Sequence, residues 1–354
     1  MNKAESYINS NRDFYIDFLR FIALSLIILV HVNCPDWLKQ LRCFDVPLIV
    51  FVSGLSCTYS DKSKVGDWLW KRTKRLIIPT YIFFSVYMLL LYVLNLFSNT
   101  SLITPDKVIG TYFMLNSPSV GYVYIIRVFL LVMICTPLFL ISNNNHQCVI
   151  LLKCDGWGGY KYLIISLLLF VFLEFFVLFV HFSDNGVVGV LYNQYFIYAM
   201  AYSIPFLIGY SLKTLPRERV RLTILIAIAV LVIGAIIYYL FNGLPFVITP
   251  TFKYPPHAYY IIYGCCISVL LYCIRYVEPV QKIVNKMKWA IFVGQNTIWI
   301  YFWHILFLLI VGRITNYWLL KYIVVYTLSV FAFLLQYKIV KKLNYKFLNK
   351  YFIG

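Results

Sequence analysis

Arg20 and His31 are two ionisable residues in one apolar run, with Asp17 one helical turn ahead of the arginine. On an α-helix their separation turns through about 1100° and rises about 16 Å, so both share one face at different depths. A lipid-embedded helix keeps such groups only with a partner, with water or with a task. Arginine is permanently cationic and presents a planar fork of donors, which suits a phosphate or an oxyanion. Histidine changes charge near neutral pH and suits removal of a proton from a hydroxyl. A structural account stands beside the chemical one: Arg20 holds Asp17 across one turn, and His31 is an interhelical hydrogen-bonding group.

A second histidine, His304, closes the stretch Gly294-Gln295-Asn296-Thr297-Ile298-Trp299-Ile300-Tyr301-Phe302-Trp303-His304. Glu174 is an acid deep in an apolar run, where a substrate contact, a bent span and a structural hydrogen bond all remain open. Arg127 enters another run and either lines the same cavity or snorkels to the surface. Arg72 and Arg75 stand just before Pro79 and read as a phosphate-binding pair or as topological charge. Tyr254-Pro255-Pro256 is ordinary chemistry for a helix start, and His146, His181 and His257 fall in loops or near span ends.

The elements that must hold these groups follow from composition. Of 354 residues, 62% are hydrophobic and 12% charged, with mean hydropathy +0.80. A soluble domain of this size does not carry such a surface, so the chain reads as an all-α polytopic membrane protein. Apolar runs near 15–33, 44–58, 76–97, 122–141, 162–181, 194–212, 222–241, 258–274, 290–311 and 320–338 predict about ten transmembrane helices. Assigning alternate loops to opposite sides leaves Lys39, Arg42, Lys107, Lys253, Arg313 and Lys321 as the basic residues of one side, while most of the 31 Lys and Arg fall on the other. Cytoplasmic loops carry that excess, so both termini are expected inside. The first helix then runs outward, with Arg20 in its inner half and His31 in its outer half. The net charge of +18 is explained by this topology and needs no nucleic acid.

Nine cysteines form no CxxC pair, so neither a zinc ribbon nor a redox dithiol is indicated; Cys34 and Cys43 share one short loop, as a disulfide or as free thiols. No cleaved signal peptide and no appended soluble domain are expected, leaving residues 1–354 as a single membrane domain. From these residues alone two functions stay open: an enzyme working across the bilayer, and a transporter or flippase whose charged residues line a pathway for a lipid-linked glycan.

The order of several motifs narrows the choice. Asp17-x-x-Arg20, Arg20-x₁₀-His31, Pro47-Leu48-Ile49-Val50-Phe51-Val52-Ser53-Gly54, Lys71-Arg72-x-x-Arg75-Leu76-x-x-Pro79 and Gly294-x₆-Tyr301-x-x-His304 together resemble acyltransferase family 3, the integral membrane O-acyltransferases. The resemblance spans essentially the whole chain, and ten helices is that family's size. It implies transfer of an acyl group, usually acetyl, from acyl-CoA in the cytosol to a hydroxyl, most often on a surface glycan, in a bacterial inner membrane. No permanently bound cofactor or metal is implied; acetyl-CoA is a donor substrate. The family's arginine–histidine motif falls on Arg20 and His31, its basic inner-face motif on Arg72 and Arg75, and its late histidine on His304. Asp17, Arg127 and Glu174 remain substrate-binding candidates. Phe18 and Phe21 stand where glycines often flank the arginine, and Tyr124 where a tryptophan is usual. His31 is expected to act as general base on the acceptor, or to carry the acyl group itself.

Overall fold

The first long helix opens where the sequence supplies a cap. In the computed structural model, which describes residues 13–60, 65–97, 102–139, 160–183, 186–214, 217–243 and 252–353, Asp13 takes extended backbone and its carboxylate accepts the Tyr15 amide at 3.2 Å. This starts α1, Phe14–His31. The other long helices are α2 (Asp45–Cys57), α3 (Val65–Phe97), α4 (Tyr124–Phe139), α5 (Tyr160–Phe179), α6 (Ile197–Thr214), α7 (Arg217–Asn242) and α8 (Ala258–Cys273), then α9 (Lys288–Gln295), α10 (Thr297–Val311) and α11 (Trp318–Leu343). Among the described residues no strand forms. His146 lies outside the described residues.

Nine of the ten apolar runs fall mainly on one long helix each, and the run 290–311 falls on two, α9 and α10. Among the described residues, seven helices are long and apolar enough to cross a membrane, and the bent pair α9 and α10 makes an eighth when counted as one span. Tyr124–Phe139 and Ile228–Ile237 are shorter apolar helices. The third run begins earlier than its apolar residues indicate, because the helix starts at Val65 and carries Arg72 and Arg75 on its first turns. Side chains such as Leu167, Val171, Phe172 and Phe179 of α5 face outward, as hydrocarbon requires of a membrane protein. Cys34 and Cys43 are both free thiols.

α2 is the buried centre. Val46, Leu48, Val50, Phe51, Val52 and Leu55 are fully covered as the helix packs against α1, α6 and α8. Backbones come very close at its crossing with α6: a Cβ on Gly54 would meet the Phe206 carbonyl oxygen at 2.0 Å, and one on Gly209 the Phe51 oxygen at 2.2 Å. In a bilayer, where apolar faces gain nothing over lipid, such close small-residue contacts drive helix association.

The break between α9 and α10 shapes the site. The two helices meet at 85°, and Asn296 leaves helical geometry at φ −122°, ψ 31° while its side-chain Nδ2 donates to the Phe292 carbonyl at 2.7 Å. Gly294 lies against α1 so closely that a Cβ would meet the Asp17 carbonyl oxygen at 1.8 Å. Non-helical backbone at membrane depth is tolerated where it lines a cavity, and here it does.

Candidate active site

Arg20, Leu24 and Ile27 follow one stripe of α1 and line a cavity of about 520 Å³. Across from them stand Phe129 and Met133 of α4, and the broken segment Gly294–Thr297 closes another side. Arg72 and Arg75 of α3 also face this space, so three guanidiniums converge on it. Arg20 is held from two directions. Its Nη1 donates to Asp17 Oδ1 at 2.7 Å and its Nη2 to Ser56 Oγ at 2.6 Å. Asp17, 1% exposed, also accepts from Gln295 Nε2 at 3.2 Å, so the carboxylate joins α1 to the broken span. Arg72 donates to Ser60 Oγ at 2.6 Å, with its guanidinium 4.7 Å above the Trp68 ring. These arginines are anchored on protein groups and present net positive charge to the cavity, which favours an anionic ligand.

His31 continues the same stripe beyond Ile27, but it does not line this cavity. It is 9% exposed and lies against His304, which is fully buried. His31 Nδ1 is 2.9 Å from His304 Nε2, with the two ring planes only 8° apart. His304 Nδ1 in turn hydrogen-bonds the Tyr301 carbonyl. A carbonyl oxygen can only accept, so His304 Nδ1 carries a proton and, in the neutral ring, Nε2 carries the lone pair. That lone pair accepts from His31 Nδ1–H. His31 Nε2 is thereby left unprotonated, as a general base or a nucleophile needs.

Tyr122 sets the other face of His31. Its ring stacks on the imidazole at 3.8 Å between centroids and 17° between planes. Its carbonyl accepts from Tyr301 Oη at 2.7 Å, so one tyrosine ties the loop before α4 to the helix that carries His304. Tyr122 takes φ 54°, directly after Gly121 at φ 81°. A side chain in that left-handed region costs about 1–2 kcal/mol. Backbone held there by its surroundings is typical of functional sites.

The remaining candidates stand apart from the cavity. Arg127 is buried, and its fork donates to the Met114 carbonyl at 2.9 Å, Gln194 Oε1 at 3.0 Å and Asn116 Oδ1 at 2.8 Å. Its guanidinium also lies 4.7 Å from the Tyr198 ring, so it pins the loop before α4 to the start of α6. Glu174 Oε2 accepts from the Ala258 amide at 3.0 Å, and Oε1 lies 3.5 Å from His257 Nδ1. It therefore supplies negative charge to the N-terminus of α8. Tyr122, Ser56 and Gln295 are site residues that reading the sequence missed. Ser56 and Gln295 resemble any polar residue near a span end, whereas Gly121 beside an aromatic was a faint signal of irregular backbone.

Residues 13–336 match a family model described as an acyltransferase domain. No curated protein and no solved structure matches the chain.

Proposed function

The chain belongs to acyltransferase family 3, and from that premise we propose that it is an O-acyltransferase acting across a bacterial inner membrane. It moves an acetyl or other short acyl group from cytosolic acyl-CoA to a hydroxyl of a cell-surface or lipid-linked glycan. One observation carries this reading. The hydrogen-bond chain from the Tyr301 carbonyl through His304 ends on an unprotonated His31 nitrogen, one turn of α1 beyond a cavity lined by three arginines.

Arg72, Arg75 and Arg20 pair with the donor's phosphates at the basic mouth. Its long thiol-bearing arm then extends along the Leu24 and Ile27 stripe, placing the thioester carbonyl near the end of the cavity at Tyr301. A span of about 16 Å between Arg20 and His31 suits a donor whose charge and reactive carbon lie at opposite ends. The acceptor hydroxyl approaches His31 from the far side. His31 Nε2 takes its proton as the oxygen attacks the thioester carbon, and His304 holds the ring in the required tautomer. The carbon–sulfur bond breaks, the proton passes from His31 to the departing thiolate, and an ester and free CoA result. Such a base contributes about 10²–10⁴ in rate.

The test is donor turnover by purified protein in nanodiscs with radiolabelled acetyl-CoA. CoA release that requires a glycan acceptor, and label recovered as an alkali-labile ester, are expected. Glycan movement without donor consumption would replace the enzyme by a transporter. Label trapped on His31 in the absence of acceptor would make that nitrogen an acyl carrier.

A further inference from the structure

Lys253 and Arg42 lie outside the lining of the arginine-lined cavity. Lys253 faces the ring of Tyr124, two residues beyond the Tyr122 that stacks on His31, and the two cations come from separate loops, one before α8 and one before α2. Both are deeply buried, at 5% and 4% exposure.

Arg42 has a carboxylate of its own. It hydrogen-bonds Asp45 one turn away, and that pair is fully enclosed. Two of the pair's polar atoms, Arg42 Nε and Asp45 Oδ1, have no hydrogen-bond partner among the described residues.

Among the described residues, Lys253 has neither a carboxylate nor a hydrogen-bond acceptor for its ammonium. Its ammonium lies 5.7 Å from the Tyr124 ring and 5.5 Å from the Tyr254 ring, which themselves meet edge to face at 5.6 Å. A buried cation held only against ring faces retains a large part of its desolvation cost. Two buried cations against one carboxylate leave a net positive charge beside the proton-abstracting nitrogen. Topological charge does not explain it, since Lys253 falls on the side that is poor in basic residues.

We propose that Lys253, with the Tyr124 and Tyr254 rings and the Arg42–Asp45 pair behind it, is the acceptor subsite and selects an acceptor that carries an anionic group, a sugar carboxylate or phosphate, close to the hydroxyl that is acylated. This rests on the acyl-transfer reading. The anion docks on the Lys253 ammonium, the sugar rests on the tyrosine faces, and the neighbouring hydroxyl is delivered to His31 Nε2.

The test uses the full-length protein in nanodiscs of zwitterionic lipid, so that no headgroup supplies the anion. Acceptors are a hexuronate oligosaccharide, its carboxyl-reduced neutral counterpart, and the same neutral sugar bearing a phosphate monoester. Lys253→Met keeps the length of the side chain and removes a buried charge, so it should fold at least as well as the parent; Lys253→Arg keeps the charge. Lys253→Met should raise KM for whichever anionic acceptor is used by about 10- to 100-fold, the loss of one charge-assisted contact. KM for acetyl-CoA and transfer to the neutral sugar should not change, and Lys253→Arg should recover most of the loss. An equal loss with acidic and neutral acceptors, or no change with any, overturns the proposal. Binding of the hexuronate without donor, followed by intrinsic tyrosine and tryptophan fluorescence, separates the two readings. Binding that Lys253→Met abolishes supports the subsite even where no acyl transfer occurs, and absence of binding by the parent protein overturns it.

Discussion

The two ends of the α1 stripe handle buried polarity in opposite ways. At the Arg20 end, charge is anchored: Asp17, Ser56 and Ser60 hold guanidiniums that still face a cavity of about 520 Å³. At the His31 end, neutral groups are arranged in sequence, each fixing the proton of the next, beneath a stacked tyrosine. The first arrangement attracts a charged ligand and tolerates small displacements, because Coulomb attraction changes gradually with distance. The second fails when one proton is misplaced, because a base with its lone pair turned away is no base. Substitutions at the arginine end should therefore register in KM for the donor, and those at the histidine end in kcat.

The largest effect is expected from His31→Ala. It should lower kcat by about 10²–10⁴, with KM for acetyl-CoA within a factor of about two, the spread of neutral substitutions. A midpoint of thermal unfolding equal to that of the parent would show that the loss is chemical. A variant with full kcat would end the assignment and with it the contrast between the ends.

His304→Ala comes next. It deletes the acceptor that fixes the proton on His31 Nδ1, so roughly half of the neutral rings adopt the wrong tautomer and the remainder lose their alignment. A fall in kcat of about 10- to 100-fold is expected, in line with the effect of groups that orient a functional histidine. His304→Gln restores an acceptor and should recover part of the rate, whereas a role limited to packing would leave Gln and Ala alike. Equal activity of all three proteins would make His31 self-sufficient.

At the other end, Arg72→Ala and Arg75→Ala should each raise KM for acetyl-CoA by about 3- to 10-fold, the worth of one partly exposed phosphate contact, and leave kcat within twofold. The penalty should shrink as salt is raised, because exposed charge pairs are screened over about 8 Å at physiological ionic strength. A salt-independent loss of kcat would place these arginines near the reacting atoms and erase the distinction between the two regions.

The contrast also marks what reading the sequence could reach. That Arg20 and His31 share a face of α1 was legible because helical periodicity alone aligns those positions. The pairing of His31 with His304 was not, since it depends on how α1 packs against the bend at Asn296, and no local pattern carries that bend. Tyr122 was hidden for the same reason: its place follows from two successive residues at positive φ, whereas its sequence neighbours read as the start of an apolar run. The start of α3 at Val65, ahead of Arg72 and Arg75, was not legible because hydropathy detects only apolar residues and the helix extends back through polar ones. Glu174 stayed open between a substrate contact, a bent span and a structural hydrogen bond, because its partners, the Ala258 amide and His257, come from tertiary packing.

Glu174 also supplies the smallest effect and the control for the comparison, being a half-exposed charge within an apolar helix that touches neither end of the stripe. Glu174→Gln keeps one acceptor for the Ala258 amide but removes the charge that faces the α8 N-terminus and His257. The loss should be about 0.5–1 kcal/mol of stability, the scale of a charge at a helix terminus, seen as a drop of a few degrees in the unfolding midpoint. Both kcat and the two KM values should stay within twofold, because none of the groups it touches lines the cavity or reaches His31. A selective rise in acceptor KM would instead bring α8 into the substrate path. Charge within a span would then fail to separate function from scaffold, and Lys253 before α8 and the acid that caps that helix would have to be treated as one site.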